Sequence, residues 1–140
     1  MWPAWAPQKE ILAHPAVGGF VTHCGWNSIL ESLWFGVPMV PWPLYSEQHL
    51  NAFELARDMG VAVHLKNMDV TKADLLVEAA ELEAAVRGLM GGTEGGRKVK
   101  EKAADMKDAC RNAVVEGGSS YVALRELMRG LCPGGGAPSP

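Results

Sequence analysis

Between Gly19 and Leu65 the chain repeatedly exchanges short apolar runs for helix-length segments, and this alternation restricts the possible folds more than any other feature. Gly19–Thr22 (GFVT) and Val61–Leu65 (VAVHL) suit buried strands. Pro38–Trp42 (PMVPW) is strand-like, its prolines marking a strand end. Asn27–Phe35 reads as a helix stopped by Gly36 and then Pro38, and Ser46–Met59 as a second stopped by Gly60. A strand–helix–strand–helix–strand succession predicts an α/β fold, a Rossmann-like parallel sheet with flanking helices and right-handed crossovers. Pro7–Ala13 predicts a short helix in front of it, ended by His14-Pro15.

The second half predicts helices only. One starts near Thr71 or Asp74 and reaches Met90, closed by Gly91-Gly92. In Lys98–Glu116 the apolar residues Val99, Ala103, Met106, Cys110 and Ala113 recur at spacings of 4, 3, 4 and 3, one face of an amphipathic helix. After Gly117-Gly118, Ser119 is a natural N-cap for a last helix whose stripe is Tyr121, Leu124, Leu127 and Met128. The sequence has nothing to bury after Leu131, so residues 132–140 are expected to form a disordered tail behind a domain covering residues 1–131.

Composition removes several classes of function. Thirteen basic against sixteen acidic side chains, with no basic stripe, argue against a nucleic-acid partner. No run of about 18 apolar residues exists, so no membrane span is expected, and MWPAWAPQKE lacks the pattern of a secretory signal. Cys24, Cys110 and Cys132 have neither CxxC pairing nor zinc spacing and read as reduced thiols of a cytoplasmic protein, Cys24 as a small buried hydrophobe.

Chemistry concentrates where the Gly19–Thr22 run meets the next helix. A helix N-terminus offers backbone N–H groups and the positive end of the dipole, which suits a diphosphate. Gly25 permits close backbone approach, Asn27 and Ser28 add side-chain donors, and His23 stands at the carboxyl end of a strand, where open α/β sheets bind ligands. A plainer reading exists for the same letters. Asn27 or Ser28 could serve as an N-cap, and Ser28-x-x-Glu31 matches a capping box that would occupy Glu31 with its own backbone.

Read as a whole, Trp5–Gln48 (WAPQKEILAHPAVGGFVTHCGWNSILESLWFGVPMVPWPLYSEQ) resembles the box that defines plant secondary-product UDP-glycosyltransferases. The likeness continues more weakly to about Leu131. It implies the C-terminal domain of a GT-B fold, with strands expected upstream of Trp5 and the sheet here therefore incomplete. It also implies roles for single residues. The indole at Trp5 stacks on uracil, and Ala6 and Gln8 contact the base and ribose edge. Glu31 accepts from the ribose hydroxyls, an acceptor-only task that fits a carboxylate. His23, Asn27 and Ser28 hold the phosphates over the Gly25 turn, Trp26 lies near the sugar, and Glu47 and Gln48 hydrogen-bond the sugar's hydroxyls. A box ending in Gln48 implies UDP-glucose as donor.

The family's reaction is hexosyl transfer with inversion to a hydroxyl of a small metabolite, a flavonoid or other phenolic. The base that takes the acceptor's proton is a His, oriented by an Asp, in an N-terminal domain that also forms the acceptor pocket. Met1 lies just before Trp5, so the chain is expected to supply the donor-binding part alone, with no catalytic base of its own. The alternatives are a UDP-sugar-binding fragment without activity and a truncated remnant without function. The sequence has no Asp-x-Asp pair, so no metal and no cofactor beyond the donor substrate are expected. A monomer is expected.

Overall fold

The computed structural model describes residues 5–65 and 76–131. Helix α1 (Gln8–Ala13) leads to strand β1 (Phe20–Thr22), helix α2 (Trp26–Phe35) and strand β2 (Met39–Pro41). Helix α3 (Gln48–Phe53) then runs into one π-helical turn, Glu54–Asp58, and helices α4 (Ala79–Met90), α5 (Glu94–Val114) and α6 (Ser119–Leu131) follow. β1 and β2 pair in parallel with Phe20 opposite Met39, Val21 opposite Val40 and Thr22 opposite Pro41. The expected third strand, Val61–Leu65, is reduced to one parallel bridge between Met39 and Ala62. Two backbone bonds flank it, Met39 N–H to Val61 O at 3.1 Å and Val63 N–H to Met39 O at 2.9 Å. β2 is short because Pro38 precedes it and Pro41 ends it, and neither has a backbone N–H to donate to a ladder.

Helix boundaries follow local chemistry. Gly36 sits at φ 71°, and the N–H groups of Gly36 and Val37 close onto Leu33 and Ser32 carbonyls, the Schellman pattern that ends α2. The Ser32 hydroxyl then donates to Val37 O at 2.7 Å. The Ser46–Met59 helix starts later than the sequence predicts, and its last turn is π-helical before the expected stop at Gly60. Ser46 adopts φ 58°, which no right-handed helix accommodates, so α3 begins at Gln48. At the other end the Met59 N–H reaches back five residues to Glu54 O at 2.9 Å.

Thr71, Asp74 and the tail from residue 132 lie outside the described residues, and α4 starts at Ala79. α5 begins four residues before Lys98 because Thr93 caps it, accepting from Gly96 N–H at 3.1 Å while its hydroxyl donates to Gly88 O at 2.9 Å. A Cβ on Gly96 would run into the Gly88 carbonyl, so Gly96 is where α5 packs closely on α4. Ser119 is the first helical residue of α6, and it is the Gly118 carbonyl that accepts from Val122 N–H at 2.9 Å.

The core joins Ile29 and Leu33 of α2, Met39 and Val40 of β2, Ala52 and Leu55, the Val61–Ala62 bridge region, and Ala85 and Leu89 of α4. α5 covers this core with the face read from the sequence. Ala103 is fully buried, and Val99, Met106 and Cys110 pack at the margin. The Arg111 guanidinium lies over the Trp34 ring, 5.7 Å from its centroid, adding a second tie between α5 and α2. α6 packs on α5 but buries no residue, and its stripe residues Leu124, Leu127 and Met128 are exposed. Among the described residues no helix is long and apolar enough to cross a membrane.

Candidate functional site: a cleft at the start of helix α2

β1 delivers His23 to its carboxyl end, and the chain then turns through Cys24 and Gly25 into α2. Cys24 makes the turn at φ 64°, a left-handed conformation rarely taken by a residue with a side chain. Gly25 caps α2 with an extended backbone at φ −68° and ψ 141°, accepting from Ile29 N–H at 3.1 Å, and no side chain caps the helix. The first-turn N–H groups of Trp26, Asn27 and Ser28 therefore remain for a partner outside the helix. No acidic residue stands in that turn to neutralise its positive end.

Gly25 is glycine for a steric reason. A Cβ there would collide with Nε2 of His23 and approach its Cδ2 and Cε1 to 3.1 Å. The imidazole thus lies folded against the turn, directly before the open helix end.

A cleft of about 690 Å³ opens at this junction. One wall is His23, Asn27, Ser28 and Glu31; the other is Trp5, Ala6 and Gln8, with Pro7, Lys9 and Glu10 completing the lining. That volume falls in the range of small-molecule sites. The Trp5 indole is 86% exposed, an unusual state for the largest apolar side chain and one that leaves its face available.

The two walls are joined by one amide. Gln8 Nε2 donates to Glu31 Oε2 at 2.8 Å and to Ser28 Oγ at 3.1 Å. This decides between the two readings of Ser28-x-x-Glu31. Ser28 is already the third residue of α2, and the Glu31 side chain turns to Gln8, so no capping box forms.

Gly25 and Trp26 do not line the cleft; Gly25 supports the imidazole from below, and Trp26 is 60% exposed at the first helical position. Glu47 and Gln48 lie apart from it, at the start of α3. The Ser46 hydroxyl, and then the Glu47 backbone N–H, hold the exposed Glu47 carboxyl below the usual carboxylate range. Gln48 is buried, and its Oε1 accepts from the N–H groups of Leu44 at 2.9 Å and Tyr45 at 3.2 Å. Its carbonyl end is thus used to shape the 44–48 loop.

Cys24 is wholly buried, and burial pushes its thiol up to about 11 despite a hydrogen bond from the Trp42 backbone. It behaves as the small hydrophobe expected from the sequence. Three participants escaped sequence reading: Lys9 in the cleft wall, Thr22, whose Oγ1 accepts from Cys24 N–H at 3.2 Å, and Asn51, whose Nδ2 donates to Cys24 O at 3.0 Å. Only the exposed position of Lys9 beside Gln8 could have flagged it; the other two carry no signal in the sequence. Among the described residues no three His, Cys, Asp or Glu side chains gather as a metal site.

Residues 2–88 match the family described as UDP-glucoronosyl and UDP-glucosyl transferase. The chain is 66% identical over 128 residues to malvidin galactosylase UGT88C3 of Oryza sativa subsp. indica, covering 91% of this chain and 26% of that protein. It is 54% identical over 128 residues to flavonol 3-O-glucosyltransferase UGT71C4 of Arabidopsis thaliana, with the same two coverages of 91% and 26%. The crystal structure of Medicago truncatula UGT71G1 complexed with UDP-glucose superposes with a TM-score of 0.77 at 51% identity, over 88% of this chain and 26% of that one. The chain thus spans about a quarter of the length of the curated relatives it matches, 26% for the first of them. With its α/β core and its uncapped helix at the strand end, this chain belongs to the UDP-glucoronosyl and UDP-glucosyl transferase family.

Proposed function

We propose that the cleft binds the nucleotide of a UDP-hexose and that the chain is the donor-holding part of a transferase acting on a hydroxyl of a small phenolic acceptor, with inversion. The observation that carries this reading is the open N-terminus of α2, flanked by His23, Asn27 and Ser28, at the mouth of a cleft of about 690 Å³. A diphosphate placed there receives helix N–H groups and an imidazole, while Trp5 covers the base and Glu31 accepts from the ribose. In transfer, negative charge grows on the departing UDP as the anomeric bond breaks, and the same fixed donors stabilise it without a metal. Free thiols at Cys24 and Cys110 support a reducing compartment, the cytosol.

For the sugar we propose glucose on the strength of the box ending in Gln48, whose side chain is buried with its carbonyl oxygen engaged by the N–H groups of Leu44 and Tyr45. The likeness to a galactosylase favours galactose as the second reading. Calorimetric titration of the chain with UDP, UDP-glucose and UDP-galactose tests both. Binding of UDP in the micromolar to millimolar range is expected, with UDP-glucose preferred. Silence toward all three at millimolar ligand rejects the nucleotide reading, and a galactose preference replaces the first sugar with the second. A transfer assay with a phenolic acceptor separates an enzyme from a module that only binds.

A further inference from the structure

We propose that Asn51 is a positioning residue for the diphosphate, fixing the turn before α2 from the first turns of α3; the inference rests on the nucleotide reading above. Asn51 Nδ2 donates to the Cys24 carbonyl at 3.0 Å across 27 residues of sequence. Cys24 needs such a hold. Its φ of 64° is disfavoured for any residue with a Cβ, and such conformations persist only where the surroundings over-determine them. Here every polar group of the residue is engaged. Its N–H donates to Thr22 Oγ1 at 3.2 Å, its thiol to Thr22 O at 3.4 Å, and its carbonyl accepts from Asn51.

The peptide unit explains why this matters for a ligand. The Cys24 carbonyl and the Gly25 N–H belong to one planar trans peptide, so they point in opposite directions. Anchoring the carbonyl on α3 therefore aims the Gly25 N–H away from α3 and stops that peptide from flipping. Gly25 in turn carries the His23 imidazole against it. One amide thus sets a backbone donor and the seat of a side-chain donor. Asn51 also shares α3 with Gln48 and follows Glu47 within its first turns, where Asn51 N–H donates to Glu47 O at 2.9 Å. The turn that would hold phosphate and the segment that would hold sugar are joined through this side chain.

The test uses Asn51→Leu, which keeps the shape without the donor, and Asn51→Ala, in the 140-residue chain. Two readouts are taken: affinity for UDP against uridine, and backbone hydrogen exchange without ligand. Loss of one buried hydrogen bond at a binding turn predicts roughly tenfold weaker UDP binding with uridine affinity held within about twofold. Exchange at the Cys24 and Ile29 amides, which donate to Thr22 Oγ1 and Gly25 O, should quicken by about tenfold while that at Met39 and Val40 is unchanged. A merely structural role would weaken UDP and uridine together, and that result overturns the proposal. Unchanged exchange at Cys24 and Ile29 overturns it as well. A wild-type chain that binds neither ligand defeats the nucleotide reading itself; faster local exchange in the variants would then leave Asn51 a structural tie and end its positioning role.

Discussion

Replacing Gly25 by alanine isolates the contribution of the His23 imidazole without touching it. The backbone at Gly25 has φ −68° and ψ 141°, ordinary values for alanine, so the substitution strains no dihedral. Its whole effect falls on the ring, which a Cβ would strike at Nε2 and crowd to 3.1 Å at Cδ2 and Cε1. His23 is exposed, so the ring can swing outward at little cost to the fold. Two backbone effects nearly offset: alanine is the poorer N-cap by up to about 1 kcal/mol, while the unfolded chain loses entropy worth roughly 0.4–1 kcal/mol. The midpoint of thermal unfolding should therefore move by no more than about 5 °C. Binding should suffer far more. A charge-assisted bond from imidazole to phosphate is worth about 1.5–3 kcal/mol, so UDP affinity should fall roughly 10- to 100-fold. Calorimetry on Gly25→Ala, His23→Ala and the double variant completes the cycle. If alanine acts by displacing the ring, it adds almost nothing in the His23→Ala background. Additive losses would refute the steric argument, because they would show that Gly25 serves UDP by a route independent of the imidazole.

Three further outcomes are expected. Trp5→Ala removes an 86% exposed indole, so the fold should be indifferent while UDP binding weakens by about 1–3 kcal/mol; a large loss of thermal stability would contradict the exposed placement. Gly96→Ala pushes a methyl into the Gly88 carbonyl and to 3.1 Å from Leu89 Cα, and chemical denaturation should report a loss of about 1–3 kcal/mol through separation of α4 and α5; wild-type stability would contradict that packing. Cys24 has its thiol raised from 9.0 to about 11, so the folded state holds the proton longer than the unfolded chain. Its contribution is complete below pH 9 and fades between pH 9 and 11, a difference of roughly 2–3 kcal/mol measured against Cys24→Ala; a pH-independent difference would show that the thiol is not desolvated.

The sequence was most informative where one residue decides one conformation. Gly36, Gly60 and Gly91-Gly92 end their helices as read, and the spacing of Val99, Ala103, Met106 and Cys110 identified the face that α5 lays on the core. It was least informative where a remote partner decides. Nothing in the sequence around Gly96 announces the Gly88 carbonyl packed against it, and Ser46 gives no warning of its left-handed φ of 58°. The cleft shows the same division. Trp5, Gln8, His23, Asn27, Ser28 and Glu31 were named together and do line one cavity. The choice between a capping box and a free Glu31 needed the position of Gln8, contributed from 23 residues away. Thr22 and Asn51 were invisible because their work consists of single hydrogen bonds to the backbone of Cys24, which leave no periodicity or motif.

The amide of Gln8, clasped between Ser28 and Glu31, has a consequence for how fast a guest could come and go. A lone carboxylate on a helix surface samples several rotamers, and stilling it at the moment of encounter consumes part of the attraction, roughly 0.5–1.5 kcal/mol for each side chain frozen. Here folding has already done the stilling. Only Oε2 is engaged by the amide, so Oε1 keeps its lone pairs for another donor. A diol arriving there meets a rigid acceptor and displaces little more than water. Such an acceptor can be selective in orientation without being slow to release its guest.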